Sequence, residues 1–243
     1  MLSGMPSVCV KPVLRPGKCR VYGVLLACLP LWCVAATAED ADAWFESDAE
    51  QQALAVNEGE LEFLAAAPGQ RILQTSNRLT LTADSLESGW VRLDQCQLNL
   101  DPVPALEIVY RYREMRDLRI ESFHAMERAW VEAGSVQMLN LVEGAELCIS
   151  AEVQLLQPAG TGRYEIRSGP FHRRFLDGYY PLRLDYRVSY PAALLQVEAV
   201  HPGVQPGFAV ARQPGELQID ALFEGRLTIR VVLRARQAES SSS

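Results

Sequence analysis

Hydrophobic and polar residues alternate with a period of two along most of the chain after residue 60. Leu106, Ile108, Tyr110 and Tyr112 oppose Glu107, Val109, Arg111 and Arg113. Leu147, Ile149, Ala151, Val153 and Leu155 oppose Cys148, Ser150, Glu152 and Gln154. Leu217, Ile219, Ala221 and Phe223 form a third such series, and Leu227, Ile229, Val231 and Leu233 a fourth. Shorter runs occur at Leu61, Phe63 and Ala65 and at Leu79 and Leu81. A strand places successive side chains on opposite faces, so this pattern predicts antiparallel strands with one face buried and one in water.

Turn signals punctuate the runs at strand-like spacing. They include Ala67-Pro68-Gly69, Asp101-Pro102, Glu143-Gly144, Gly169-Pro170, Asp177-Gly178, Pro214-Gly215 and Glu224-Gly225. Many short strands with such turns predict an all-β chain, an antiparallel two-layer β-sandwich with one or two short helices. The sandwich is expected over residues 57–237, with a subdivision near 158–163 left open by the Gly-rich "PAGTGR". "SFHAMERAWV", residues 122–131, reads equally as helix or strand. "VQPGFAV", residues 204–210, reads as a tight turn entering a strand.

The first 38 residues follow another rule. Lys11, Arg15, Lys18 and Arg20 form a basic segment without acids, the apolar stretch 21–38 follows, and Ala36-Thr37-Ala38 is an A-x-A cleavage pattern. This is the form of a signal peptide, 1–38, cut between Ala38 and Glu39, with Met1 and Met5 both open as starts. The expected location is periplasmic or secreted, with no transmembrane helix in the mature chain. Leu25-Leu26-Ala27 before Cys28 gives a lesser alternative, lipid anchoring through Cys28. Residues 39–56 are acidic, and Ser47 with Glu50 fits a capping box for a short helix near 48–55. The Ser-rich tail, 238–243, is expected to be disordered.

Charge and cysteine content narrow the function. Without the leader the chain keeps 19 arginines and no lysine against 30 acids, a net charge of −11. An acidic chain without a basic cluster argues against a nucleic-acid partner. Two cysteines remain, Cys96 and Cys148, and an even pair in an oxidising compartment reads as one disulfide. His124, His172 and His201 have no metal-ligand spacing, so no metal and no cofactor is expected. There is no G-x-S-x-G elbow, phosphate loop or S-x-x-K. Carboxylates such as Glu58 with Glu60, or Asp185 with Glu198, have the chemistry for glycan hydrolysis, but sequence gives no distance between them. Trp44, Trp90 and Trp130 are expected in the core, with a carbohydrate platform as the lesser alternative.

The stretch "GPFHRRFLDGYYPLRLDYRV", residues 169–188, is the densest in side chains suited to binding. A two-residue turn at Asp177-Gly178 would pair Leu176 with Tyr179, Phe175 with Tyr180 and Arg173 with Leu182. Phe171, Phe175, Tyr180, Leu182, Leu184, Tyr186 and Val188 then share the core face. His172, Arg174, Tyr179, Arg183, Asp185 and Arg187 share the other. Arg173 falls on the apolar face. Three outcomes are open for it: an irregular strand, a paired guanidinium, or a rim position that holds a ligand anion. His172, Arg173, Arg174, Tyr179 and Arg183 are the candidate partner-binding residues. The expected function is an exported, non-catalytic envelope accessory or interaction protein that uses a sheet face or edge to hold another envelope protein or a glycan. The rivals are an envelope glycan hydrolase or carbohydrate-binding module, and a small-ligand carrier in a closed β-barrel.

Overall fold

The computed structural model describes residues 9–12, 57–67, 71–175 and 178–236. The cleavage pattern at Ala38, Cys28, the acidic segment 39–56, Trp44 and the tail lie outside the described residues. The strands in chain order are β1 Cys9–Pro12, β2 Glu62–Phe63, β3 Leu73–Thr80, β4 Trp90–Leu100, β5 Ala105–Val109 and β6 Met115–His124. They continue with β7 Arg128–Glu132, β8 Ser135–Leu139, β9 Ala145–Gln154, β10 Leu156–Pro158, β11 Arg163–Phe171 and β12 Arg173–Phe175. The last are β13 Gly178–Tyr180, β14 Leu182–Ser189, β15 Leu195–His201, β16 Phe208–Gln213, β17 Glu216–Glu224 and β18 Leu227–Ala235. One helical turn, α1 Ser85–Ser88, stands between β3 and β4.

The all-β expectation holds. The strands fall into four hydrogen-bonded sheets. The widest has eight strands in the order β16-β17-β14-β3-β4-β9-β6, with β2 added on β17. Two four-stranded sheets run β1-β5-β8-β7 and β10-β11-β18-β15, and β12 and β13 make a sheet of their own. None of these orders closes on itself, so the continuous ladder of a carrier barrel is absent among the described residues. One pair departs from the antiparallel expectation. β3 and β14 run parallel, Leu73 opposite Leu182 and Thr80 opposite Ser189. Parallel neighbours need a crossover, and here the connection carries ten other strands.

The period-two runs bury the faces they predict. Leu227, Ile229, Val231 and Leu233 are fully buried, as are Leu217, Ile219, Ala221 and Phe223. Each large side chain so removed from water contributes about 2 kcal/mol. The run at Leu61 behaves otherwise: only Glu62–Phe63 pairs, and Leu61 is 39% exposed. Residues 122–131 resolve into the end of β6 and most of β7. Residues 158–163 turn the hairpin between β10 and β11, with Pro158 opposite Tyr164.

Two features fasten the wide sheet. Cys96 and Cys148 are directly opposed on β4 and β9 and form a disulfide, with Cα atoms 4.1 Å apart. It closes a 52-residue separation, which contributes about 4 kcal/mol on the chain-entropy model. The second is a polar band on the inward face. Thr75 Oγ1 donates to Gln97 Oε1 at 2.7 Å, Gln95 Nε2 to Asn77 Oδ1 at 2.8 Å, and Tyr110 OH to Gln95 Oε1 at 3.0 Å. These residues are all buried. Burial holds the Tyr110 phenol well above its usual range, so it stays a neutral donor.

The tryptophans correct the core expectation. Trp90 and Trp130 are only partly buried. Arg116 lies 4.2 Å over the Trp90 ring and Arg128 4.8 Å over Trp130. Each indole serves as a platform for a guanidinium at the surface.

Candidate functional site

The site grows from a change of partner after Phe171. β11 pairs with β18 as far as Phe171 opposite Leu227, with a register shift between Ser168 and Phe171. The chain then leaves that sheet and pairs with itself. Arg173 faces Tyr180, Arg174 faces Tyr179 and Phe175 faces Gly178. This register differs from the sequence expectation by two residues: Phe175 meets Gly178 and not Tyr180, and Arg173 meets Tyr180 and not Leu182. Leu176 and Asp177 lie outside the described residues. A shift of two preserves the parity of the faces, so the expected division survives.

On one face lie Arg173, Phe175 and Tyr180. The Phe175 and Tyr180 rings meet edge to face at 5.3 Å, and the Arg173 guanidinium lies over both. Arg173 Nε and Nη2 reach the two carboxylate oxygens of Asp101 at 3.1 and 2.5 Å. The two side chains are 17% and 21% exposed. Of the three outcomes open from sequence, the structure gives the paired guanidinium. The bidentate geometry occupies the fork that a ligand anion would need.

On the other face lie His172, Arg174 and Tyr179. His172 and Tyr179 stack edge to face at 5.8 Å, and the Arg174 guanidinium lies 5.4 Å over the Tyr179 ring. Arg174 is exposed and forms no ion pair among the described residues. Burial lowers the His172 pKa below its ordinary 6.5, and the nearby Arg226 and Arg174 lower it further against the hydrogen bond to Pro170 O. The ring is therefore neutral at neutral pH.

The structure adds residues that no sequence pattern singles out. Arg226 precedes Leu227, the partner of Phe171, so the β11–β18 pairing sets it beside His172. Residues 57–62 brace the hairpin from outside. Tyr179 N donates to Asn57 O at 3.0 Å, and Asn57 Oδ1 accepts from Gly59 N at 2.7 Å. Gly59 has φ +121°, and a Cβ there would come within 2.9 Å of the Tyr179 ring. The same segment crosses the β17–β18 turn so closely that a Cβ on Gly225 would meet Glu60 O at 1.9 Å. Glu224 sits opposite Glu62. Burial, and then that neighbouring carboxylate, raise the Glu224 pKa.

Arg183 is not part of this group. It projects from β14, pairs with Asp220 at 3.2 Å, and both side chains are close to half exposed. Asp185 is held by Arg187 at 3.2 Å. Glu198, the other half of the carboxylate pair considered above, lies on a different sheet from Asp185 and is held there by Arg163 at 2.8 Å. Among the described residues no cluster of His, Cys, Asp and Glu could hold a metal ion. No helix there is long and apolar enough to cross a membrane.

No family model matches the chain, and no curated protein matches it. Two of the solved structures that resemble it, both weakly, are as follows. One is a two-domain M1 zinc metallopeptidase with bound L-tryptophan, at 16% identity and a TM-score of 0.34, covering 70% of this chain and 45% of that one. The other is a candidate nutrient-binding protein of Legionella pneumophila, at 7% identity and a TM-score of 0.35, covering 73% of this chain and 70% of that one. The chain thus spans less than half the length of the metallopeptidase. At these scores neither bears on the chemistry of this chain.

Proposed function

We propose that the chain is exported, loses residues 1–38, and works in the envelope by holding a partner and not by catalysis. The observation that carries this reading is the β12–β13 hairpin, which stands as a separate sheet and shows an exposed guanidinium on an aromatic ring. Arg174 over Tyr179, with Arg226 beside His172, places positive charge on a strongly acidic chain. Such a patch suits an anionic group on another envelope protein or on a glycan. The disulfide supports an oxidising compartment, and the two-layer sandwich reading suits a rigid support for the hairpin. The hydrolase reading draws no support from Asp185 and Glu198, since each already has an arginine.

The test is crosslinking in the native envelope with the Arg174→Ala, Arg226→Ala double variant. Capture of the partner should fall at least about tenfold, the equivalent of losing roughly 1.4 kcal/mol. The unfolding midpoint should stay within about 0.5 kcal/mol of the parent, as for exposed side chains without special partners. Undiminished capture would show that the patch is not the binding surface.

A further inference from the structure

Sheet edges expose unpaired backbone groups, and proteins guard them with bulges, proline or charge. Three edge strands here carry such guards. β6 has two register shifts, one between Arg116 and Arg119 and one between Ile120 and Ser122. β15 has one between Val197 and Ala199, and β10 ends in Pro158. β5 has none. It runs Ala105-Leu106-Glu107-Ile108-Val109, pairs with β8 without irregularity, and carries a single charge.

The outer edge of β5 is occupied by β1, in unbroken antiparallel register from Cys9 opposite Val109 to Pro12 opposite Leu106. β1 also lies against β12, an arm of the hairpin described above. Yet β1 belongs to the leader that export removes. Cleavage after Ala38 would take β1 away and leave β5 as a regular edge whose one charge is Glu107.

We propose that the β5 edge of the exported chain is a strand acceptor for an extended segment of a partner polypeptide. The register shows the chemistry it accepts. Lys11 stands opposite Glu107, and Val10 and Pro12 flank it opposite Ile108 and Leu106. Glu107 accepts a hydrogen bond from Gln137 at 2.7 Å and has no ion pair among the described side chains. An opposite charge across the strands is favourable there and a like charge is not. The partner segment is therefore basic at its central position and apolar at the flanking ones. A second copy is the poorer occupant, because the symmetric antiparallel register centred on β5 sets Glu107 against Glu107. This proposal rests on the export reading, and it names the edge and the ligand class for that interaction.

The experiment uses protein recovered from the envelope of a bacterial host that expresses the full chain. Intact mass first reports whether the chain begins at Glu39, and a retained leader would overturn the export reading and leave no vacated edge. The probe is a synthetic peptide of residues 7–14 with Cys9→Ser. At ten times its Kd it should slow hydrogen exchange at the edge-facing amides of Ala105–Val109 about tenfold. The same peptide with Lys11→Glu should bind about fivefold more weakly, the upper range for a cross-strand charge pair. Glu107→Gln keeps an acceptor for Gln137 and should erase that difference. A cleaved chain whose β5 amides do not respond, or respond equally to both peptides, overturns the edge proposal and leaves export standing. A dimer whose β5 amides are already slow before peptide is added overturns it in favour of a second copy.

Discussion

Arg173 and Arg174 are neighbours in sequence and opposites in the fold. Arg173 is locked by both oxygens of Asp101 and covered by Phe175 and Tyr180. Arg174 stands exposed over the Tyr179 ring, with no ion pair among the described residues. One step along a strand reverses the face, and that step separates a buried, paired guanidinium from an exposed one. A run of charge in a β-protein is thus two populations read alternately.

The largest test of this contrast removes the locked pair. Asp101→Ala leaves the Arg173 guanidinium largely buried without its carboxylate and should cost about 3 kcal/mol in denaturant unfolding. Replacing both partners with apolar residues should recover part of that loss. If Asp101→Ala costs no more than Arg174→Ala, the contrast between the two arginines fails. A smaller effect is expected from Gly59→Ala. Its φ of +121° and the 2.9 Å approach to Tyr179 should destabilise the hairpin brace by about 1–2 kcal/mol. The Tyr179 ring signals should shift in NMR, while those of Tyr180 on the other face stay in place.

The smallest effect is the pH dependence at His172. Its folded pKa lies below the ordinary 6.5 because of burial. As pH falls, the unfolded chain takes up this proton first, so the contribution is fully present above about pH 6.5 and is lost as pH falls through the folded value. His172→Gln should flatten the decline in the unfolding midpoint between pH 7.5 and 5 relative to the parent. Parallel profiles for the two proteins would show that the imidazole is not held neutral by its surroundings.

The legible part of this molecule was local. The series at Leu217–Phe223 and Leu227–Leu233 needed only alternation to show their buried faces. The division of the hairpin's faces was also legible, because parity outlasts a register error of two. What could not be read depends on distant segments. Asp101 lies 72 residues from Arg173, and Arg226 reaches His172 only through the pairing of β11 with β18. The polar band was hidden for another reason. Thr75, Asn77, Gln95 and Gln97 occupy inward positions that a hydrophobicity pattern assigns to water, and they are buried because they satisfy one another. The tryptophans misled in the converse direction, since an aromatic ring under an arginine gains from staying near the surface.

The parallel pairing of β3 with β14 imposes an order on assembly. β3 emerges early in synthesis, but its partner on one side is residues 182–189. Until those arrive, a strand destined for the middle of the widest sheet keeps one flank open. A product truncated before Leu182 would therefore lack β14, β17 and β16, one whole side of the sheet, and would leave β3 as an open edge. It should be taken by proteases as an unfinished chain.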